Sequence, residues 1–317
     1  MTNIYRPEGY LFGTQENREY ISSRQGLERA RAEGRIIEAS ALLCDSRMRL
    51  HIDLYGMEGI IEKSEAVYSR ESAETKDIAV ITRVGKPVCF KVMGFAYEDG
   101  KEIAILSRRE AQKEYMHRCL SELEAGDIVE AKVTHLDSFG AFVDIGCGVI
   151  SLLSIDCISV SRISHPSDRL AVGDRIYTVI KSIDTQSGRI FVSMRELLGT
   201  WQENADMFEV GQTVAGIVRS IEPYGVFIEL SPNLAGLAEL REGGPGGAVA
   251  HVGERAAVYI KSILPEKMKI KLVLIDSYGV SQVPQKLKYF VDCKNVSHLN
   301  EWRYSPPSST KLIESRF

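Results

Sequence analysis

The chain has 317 residues, which is long enough for two or three domains and excludes a peptide hormone or a single small module. A hydrophobic content of 44% excludes large-scale disorder, because most of the chain can bury enough apolar surface to offset its ordering entropy. The net charge of -4 argues against a nucleic-acid binder that relies on bulk positive charge, so any such binding must come from local sites.

The first 33 residues are predicted to be an N-terminal segment that contains a helix. Residues 15–33 are rich in helix formers and lead into the first repeat described below. The first twenty residues lack the basic and apolar pattern of a targeting segment, and no run of about 18 apolar residues occurs in the sequence. We therefore expect a soluble, cytoplasmic protein without a membrane partner.

From residue 34 onwards the sequence repeats itself. The segment GDIVEAKVTHLDSFGAFVDIG begins at Gly126, and GQTVAGIVRSIEPYGVFIELS begins at Gly211. A weaker copy, GRIIEASALLCDSRMRLHIDLYGMEGIIEKSE, begins at Gly34. A repeat determines the number of similar domains, so we expect three. Their predicted bounds are residues 34–110, 125–196 and 209–277.

Within each repeat the apolar residues alternate with period two, which is typical of half-buried strands. Ala141, Val143 and Ile145 lie on one face of such a strand, while Phe142 and Asp144 lie on the other. Several such runs within about 75 residues predict a small closed barrel such as the five-stranded OB-fold. The predicted fold is therefore dominated by β-strands: three tandem five-stranded OB-fold barrels joined by short helices, with a β-rich C-terminal extension.

The segments that follow the first two repeats lose the period of two. Residues 107–124 and 194–208 are rich in helix formers and lack proline, so they predict connector helices at residues 111–124 and 197–208. In the C-terminal extension, residues 278–317, LKYFVDCKNVSHLNEWRY predicts a strand, a turn and a strand before a short last run. We expect the aromatic residues of this extension to pack against the third barrel: Tyr289, Phe290, Trp302, Tyr304 and Phe317.

The cysteines are scattered, with no CxxC pair and no histidine placed to complete a zinc site. We therefore expect reduced thiols in the core, no metal and no cofactor. The six cysteines are Cys44, Cys89, Cys119, Cys147, Cys157 and Cys293.

The second repeat carries a set of motifs in a defined order. From its start at Gly126 they are GDIV, FGAFVDI, SLLSID, VGD, IKSID and GRIFVSMR, which ends at Arg195. This order resembles the S1 RNA-binding domain, an OB-fold module named after the largest protein of the small ribosomal subunit. Residues 161–170 also resemble the linker seen in repeats of that protein. The first 25 residues and the C-terminal extension lie outside the resemblance.

The resemblance implies a surface for single-stranded RNA, on which rings stack on bases and cations lie near phosphates. It assigns this surface to Phe139, Phe142, Asp184 and Arg189. The position of the family's histidine falls on Ser154, a departure that we expect to weaken binding. An exposed phenylalanine at the start of a strand is also typical of an interdomain contact or a barrel lid.

Four further side chains add positive charge or hydrogen-bonding groups to the predicted surface. Lys132 and Lys181 lie on compatible strands, and Arg162 and His165 are placed to contact phosphates. The segment SHPSD around His165 is equally consistent with turn chemistry, because Pro166 pushes the residue before it into an extended conformation.

Repeat three keeps the ring pair and changes its surroundings. Glu239 takes the place of the family's histidine, and Leu264 takes the place of its aspartate. We expect a usable but altered surface, built from Tyr224, Phe227, Arg219, Lys267 and Lys269.

Repeat one has lost the ring signature. Met48 and His51 stand where the ring pair should be, Arg49 replaces the glycine, and Glu62 takes the histidine position. We therefore expect repeat one to bind a protein partner, such as the small ribosomal subunit, rather than RNA. A barrel that acts only as a spacer is the alternative.

Motifs of common enzymes are absent from the sequence, including GxxxxGK[ST], HExxH and GxSxG. We therefore expect no catalysis and no small-molecule substrate. The predicted function is binding of single-stranded RNA, by resemblance mRNA in translation, and the competing class is a protein-interaction scaffold. Residues 121–200 hold 7 Lys and Arg against 11 Asp and Glu, so repeat two must bind RNA against its own mean field, which predicts a steep loss with salt.

Overall fold

A computed structural model of the chain describes residues 5–69, 74–239, 250–280 and 287–317. Sequence predictions that concern residues 1–4, or the start of the extension around Ser281, lie outside the described residues. The described residues form three closed five-stranded barrels and a two-stranded sheet, which confirms the predicted β-dominated fold.

The first barrel consists of β1 (Ile37–Cys44), β2 (Leu50–Asp53), β3 (Glu58–Ile61), β4 (Pro87–Glu98) and β5 (Lys101–Ser107). Around the barrel the order is β1-β2-β3-β5-β4, and only β3 and β5 pair in parallel. A bulge between Ala41 and Leu43 interrupts the β1–β2 ladder. Such a bulge increases the local twist, which allows one strand to pair at both of its edges and close the barrel.

The second barrel repeats this order with β6 (Ile128–Asp137), β7 (Gly140–Asp144), β8 (Ile150–Ser154), β9 (Arg175–Asp184) and β10 (Arg189–Ser193). Its one parallel pair joins β8 and β10. Ala141 and Val143 are buried, and the Phe142 between them is half-buried on the outer face. The predicted faces are therefore confirmed for Ala141, Val143 and Phe142, whereas Asp144, expected on the outer face, is buried.

The third barrel is built from β11 (Thr213–Glu222), β12 (Gly225–Ser231), β13 (Leu234–Ala238), β14 (Glu254–Leu264) and β15 (Lys269–Val280). Its strands follow the same order, with β13 and β15 parallel. Because the three barrels share one topology, a position in one barrel can be matched to a position in the others through its strand register.

Each barrel encloses an apolar core formed by the inward residues of its strands. The second core also takes in the buried side chains of Ala111, Tyr115 and Cys119, which precede the barrel in the sequence. The third core includes the fully buried Trp201. The connector of residues 108–122 also contacts β4 of the first barrel, so it joins two barrels, whereas Trp201 packs into the barrel that it precedes.

The helices are α1 (Gln15–Ile21), α2 (Arg24–Ala32), α3 (Asp77–Ile81), α4 (Arg108–Glu122) and α5 (Trp201–Ala205). The single helix expected over residues 15–33 is two helices, because Ser23 accepts a hydrogen bond from the Gly26 N–H and caps α2. The second connector is also broken. Gly199 has a φ of 85°, which ends the turn at Arg195–Leu198, and Thr200 then caps α5.

The C-terminal extension contacts two barrels, whereas we expected only the third. Trp302 and Tyr304 belong to the third core, as predicted. Tyr289 packs against the second core, with its ring 5.6 Å from that of Tyr177, and the Cβ of Phe317 lies beside Gly126. The extension therefore bridges the two barrels.

The strands of this extension also differ from the expectation. Strand β16 (Glu301–Arg303) pairs with β17 (Glu314–Arg316), so the last run of the chain supplies the partner strand. Residues 287–291 form no strand, whereas the predicted turn is present around Asp292, because its carboxylate accepts hydrogen bonds from the Lys294 N–H and the Asn295 side chain.

All six cysteines are free thiols, as expected. Four of them are buried, while Cys44 and Cys293 are half-buried. Within the four described stretches, the structure contains no helix with both the length and the apolar character needed to span a bilayer.

Candidate nucleic-acid interface

Two phenylalanine rings lie together on the outer face of the second barrel. Phe139, in the turn before β7, is 50% exposed, and its ring centroid lies 5.8 Å from that of Phe142 at an interplanar angle of 89°. Between the two rings, Gly140 allows β7 to approach β8 closely, because an added Cβ would lie 2.5 Å from the Leu153 carbonyl oxygen. Exposed aromatic faces of this kind can stack on bases without reading their sequence.

A third ring extends the pair of Phe139 and Phe142 into a platform of aromatic side chains on the outer face. The sequence pattern did not predict this third ring. His135 on β6 lies opposite Phe142, and the two rings are stacked with centroids 6.0 Å apart and planes at 28°. A bulge between Val133 and His135 shifts the register of the strand. The period-two pattern therefore could not show that His135 shares the face of Phe142.

On its other side, the platform continues across the sheet to a fourth ring. Phe142 lies opposite Leu152 on β8, and Leu152 lies beside Phe191 on β10. Both Leu152 and Phe191 are half-buried on the outer face. Only the parallel pairing of β8 with β10 makes Phe191 part of this surface, so the sequence offered no local signal for it.

Ser154 and Lys181 lie at the end of the platform near Phe139. Ser154 is opposite Gly140, and its hydroxyl donates to Asp156 and lowers the pKa of that carboxyl. The Nζ of Lys181 lies 3.1 Å from the Cys157 Sγ, and this hydrogen bond, with the charge of Asp156, raises the pKa of Lys181. Lys181 therefore remains a cation, with an exposed side chain at the edge of the platform.

Asp184 and Arg189 lie opposite each other at the hairpin between β9 and β10. Asp184 accepts hydrogen bonds from Ser187 and from the Gln186 N–H, which lower its pKa and close the turn. Arg189 is exposed and lies two residues before Phe191, on the same side of β10. Arg189 is thus available for a phosphate, while Asp184 orders the turn that presents it.

Lys132 has a different partner from the one expected. Its Nζ donates to the carbonyl oxygen of Glu8 at 2.8 Å, and it lies opposite Asp144, at the end of β7 away from the ring pair. Asp144 in turn accepts the Glu8 N–H at 2.7 Å. The N-terminal segment therefore covers this end of the sheet and occupies Lys132, which we leave out of the proposed surface.

Arg162 and His165 lie in the loop between β8 and β9 of the second barrel. Arg162 is exposed, whereas the His165 side chain accepts the Ser167 N–H and caps the short turn at Pro166–Asp168. The His165 imidazole therefore stabilises a turn, which was the alternative to a phosphate contact. Ser161, next to Arg162, donates its N–H to the Pro232 carbonyl oxygen and anchors the loop on the third barrel.

The third barrel carries the same ring pair. Tyr224 is 63% exposed, and its ring centroid lies 6.2 Å from that of Phe227 at 89°. Ser220 lies opposite Phe227, at the position that His135 holds in the second barrel. Lys267 and Lys269 are exposed where β14 turns into β15.

Arg219 is committed to an ion-pair network. Its Nε lies 2.7 Å from the Oε2 of Glu229, and its Nη1 lies 3.4 Å from the Oδ2 of Asp168 in the loop of the second barrel. The buried Glu229 also pairs with Arg169. Arg219 therefore joins two barrels, and we leave it out of the proposed surface.

The first barrel has a network of charges where the other barrels have ring pairs. His51 stands at the position of Phe142, and its Nδ1 lies 2.5 Å from the Glu58 carboxylate. Burial opposes protonation of His51, but Glu58 and Asp45 raise its pKa. Arg49 is bound by Asp45 and Glu98 at 2.8 and 3.0 Å. In place of rings, the first barrel therefore carries cations that are paired with carboxylates. Such a surface offers RNA neither a ring for stacking nor an unpaired cation for a phosphate.

Three closed five-stranded barrels with this strand order make the chain a tandem OB-fold protein. Residues 122–195, which include all strands of the second barrel, match the family model described as "S1 RNA binding domain". The second barrel is therefore similar to this family, as its motifs indicated.

The chain is also similar to bacterial ribosomal proteins. It is 29% identical over 256 residues to the small ribosomal subunit protein bS1 of Leuconostoc lactis, a match that covers 76% of this chain and 56% of the relative. It is 30% identical over 198 residues to bS1 of Staphylococcus aureus, covering 59% of this chain and 50% of the relative. The chain thus spans about half the length of these curated relatives.

Among solved structures, the chain is similar to a multidomain protein with nucleic acid binding domains from Streptococcus pneumoniae. The match covers 76% of this chain and 73% of that chain, at 16% identity and a TM-score of 0.23.

Proposed function

We propose that this chain binds single-stranded RNA through the outer ring faces of its second and third barrels. The observation that carries the proposal is the exposed edge-to-face ring pair, Phe139 with Phe142, which recurs as Tyr224 with Phe227. Apolar rings exposed to water on a sheet face are a costly arrangement that base stacking relieves, at roughly 1 to 3 kcal/mol per base. Two such faces on one chain raise the effective concentration for a single strand.

The cations that we propose to bind phosphates lie at the edges of the ring faces. Lys181 and Arg189 flank the platform of the second barrel, and Lys267 and Lys269 lie beside that of the third. Residues 121–200 carry an excess of acidic groups, so these few cations act against a repulsive field. We expect affinity to fall steeply with salt.

We propose that this RNA binding serves translation. Similarity to bS1 over three quarters of the chain supports mRNA as the natural strand and the small ribosomal subunit as a partner. The first barrel is the proposed contact with a protein partner. Its exposed apolar side chains support this role, with Leu42, Ile78 and Tyr97 exposed by 58%, 63% and 79%.

The test is fluorescence anisotropy with a labelled, unstructured RNA of about 15 nucleotides, a length that covers two OB-type sites. The full chain is compared with Phe139→Ala/Phe142→Ala at low and physiological salt, with duplex RNA as a second ligand. We expect the double variant to lose about tenfold or more in affinity for the single strand. Tyr97→Ala, which removes an exposed ring from the first barrel, is the matched control and should bind like wild type.

The competing function is a protein scaffold in which the rings are contacts between proteins. A wild-type chain that binds no RNA at low salt would favour the scaffold and overturn the proposal. Ribosome contact is tested separately by co-sedimentation with small subunits, in which Leu42→Asp/Ile78→Asp should reduce the bound fraction.

A further inference from the structure

One position on the outer face differs in kind between the second and third barrels. In the second barrel, the row across the sheet runs Phe142, Leu152, Phe191. In the third barrel, the matching row runs Phe227, Leu237, Lys271, because Leu237 lies opposite Phe227 and beside Lys271. Phe191 and Lys271 therefore hold the same place, two strands away from the inner ring of each pair.

Both side chains point away from the barrel interior. Phe191 lies between the buried Ile190 and Val192, and Lys271 lies between the buried Ile270 and Leu272. Phe191 is half-buried, and among the described residues it belongs neither to the second core nor to the side chains packed against it. Neighbouring strands are about 4.8 Å apart, so Phe191 lies about 10 Å from Phe142 across the sheet.

The exposed Lys271 has no charged partner within the described part of the chain. No carboxylate there forms an ion pair with its amino group, in contrast to Arg219, which two carboxylates hold. The surroundings are also less acidic than in the second barrel, because residues 209–277 contain 7 Lys and Arg against 8 Asp and Glu. An ammonium two strands away from a ring on the same outer face is suited to a phosphate near a stacked base.

We infer that the two barrels hold the RNA strand with different groups at this position: Phe191 stacks on a base, and Lys271 binds a backbone phosphate. This inference rests on the proposed function and specifies how each face contributes to it. The second barrel acts mainly through its rings, from His135 through Phe142 to Phe191. The third barrel has fewer rings and a central cation, so it contributes more of the salt-dependent part of the affinity.

The experiment measures the affinity of the full chain for the 15-nucleotide RNA over a series of salt concentrations. It also uses a strand of the same length that lacks bases at its central positions. Phe191→Leu removes the ring and keeps an apolar side chain, and Phe191→Tyr restores a ring. Lys271→Gln removes the charge, and Lys271→Arg keeps it.

We expect Phe191→Leu to weaken RNA binding by about fivefold or more, with an unchanged salt dependence and unchanged binding of the base-free strand. Phe191→Tyr should bind like wild type. Lys271→Gln should reduce the slope of log affinity against log salt by about 0.7 and weaken both strands by the same factor. Lys271→Arg should retain the wild-type slope.

Wild-type binding by Phe191→Leu, or an unchanged slope for Lys271→Gln, would overturn this inference while leaving the proposed function in place. A wild-type chain that does not bind the RNA would overturn the proposed function, and this inference with it. Thermal unfolding of each variant checks that it folds, and the conservative variants provide the comparison if a truncated side chain destabilises its barrel.

Discussion

Arg169 and Glu229 form a buried ion pair that joins the second barrel to the third. Arg169 comes from the loop that follows the strands β6 to β8, and Glu229 lies on β12 two residues after Phe227. Arg219 donates to the same carboxylate. Glu229, next to the ring pair of the third barrel, thus binds the second barrel through Arg169. This contact holds the ring faces of the two barrels at a defined distance and orientation.

Removing this carboxylate leaves two guanidinium groups without their buried partner. We expect Glu229→Ala to lower the free energy of unfolding by about 3 to 5 kcal/mol, measured by urea denaturation. Arg169→Met/Glu229→Leu should recover much of this loss, because the buried charge is removed together with its partner. Glu28→Ala, which breaks an exposed pair with Arg24, should cost about 1 kcal/mol or less. Equal losses for Glu229→Ala and Glu28→Ala would contradict the role of the buried pair.

A second junction, between the first and second barrels, makes stability depend on pH. Burial raises the pKa of Glu38 to about 7 and that of Asp144 to about 7, although backbone N–H groups donate to both. Burial would also raise the pKa of Glu8, but the charge and hydrogen bonds of Arg108 and the charge of Arg83 lower it. Glu8 is therefore ionised throughout the neutral range, and Glu38 and Asp144 are the carboxyls of this junction that titrate there.

A carboxyl whose pKa is higher in the folded state binds protons more tightly there than in the unfolded chain. Its contribution to stability is therefore present below the unfolded value and is lost as the pH rises through the folded value. We expect the free energy of unfolding to fall between pH 6 and pH 8, by about 1 kcal/mol for each of the two carboxyls. Glu38→Gln should remove about half of this dependence, because Asp144 still titrates, whereas Asp184→Asn should leave it unchanged. A stability that does not fall over this interval would show that both groups are already ionised in the folded protein.

Lys132 should matter for stability rather than for RNA binding. Its hydrogen bond to the Glu8 carbonyl ties the N-terminal segment to β6, so we expect Lys132→Ala to cost about 1 to 2 kcal/mol. The affinity of Lys132→Ala for RNA should remain within about twofold of wild type. Lys181→Ala is the matched comparison and should weaken RNA binding with a salt slope lower by about 0.7. Anisotropy measures the RNA affinity of both variants, and urea denaturation measures their stability. A loss of RNA affinity in Lys132→Ala would show that Lys132 belongs to the RNA-binding surface.

Gly140 should be needed for the ring platform, because β7 and β8 approach closely there. A Cβ at this position would lie 2.5 Å from the Leu153 carbonyl oxygen and 3.0 Å from the Ser154 Cα. We expect Gly140→Ala to destabilise the second barrel by about 1 to 3 kcal/mol and to weaken RNA binding as Phe139 moves. Gly94→Ala, in a strand of the first barrel with open space around it, should have little effect on either. Unchanged melting and binding of Gly140→Ala would contradict this role.

The sequence by itself determined the number of barrels, their strand pattern and the ring pairs. These features depend on local geometry: alternation along a strand places Ala141 and Val143 inside and Phe142 outside whatever surrounds them. The matching motifs at Tyr224 and Phe227 follow from the same alternation in the next repeat. The loss of rings around His51 was equally visible.

Only the tertiary structure decided which cations remain available to a ligand. Lys132 and Arg219 have the same local pattern as a free basic residue, but Glu8 and Asp168 reach them from distant parts of the chain. Phe191 and Lys271 join the outer faces through the parallel strand pairs that close each barrel. Such pairings depend on long-range register, which no short window of sequence contains.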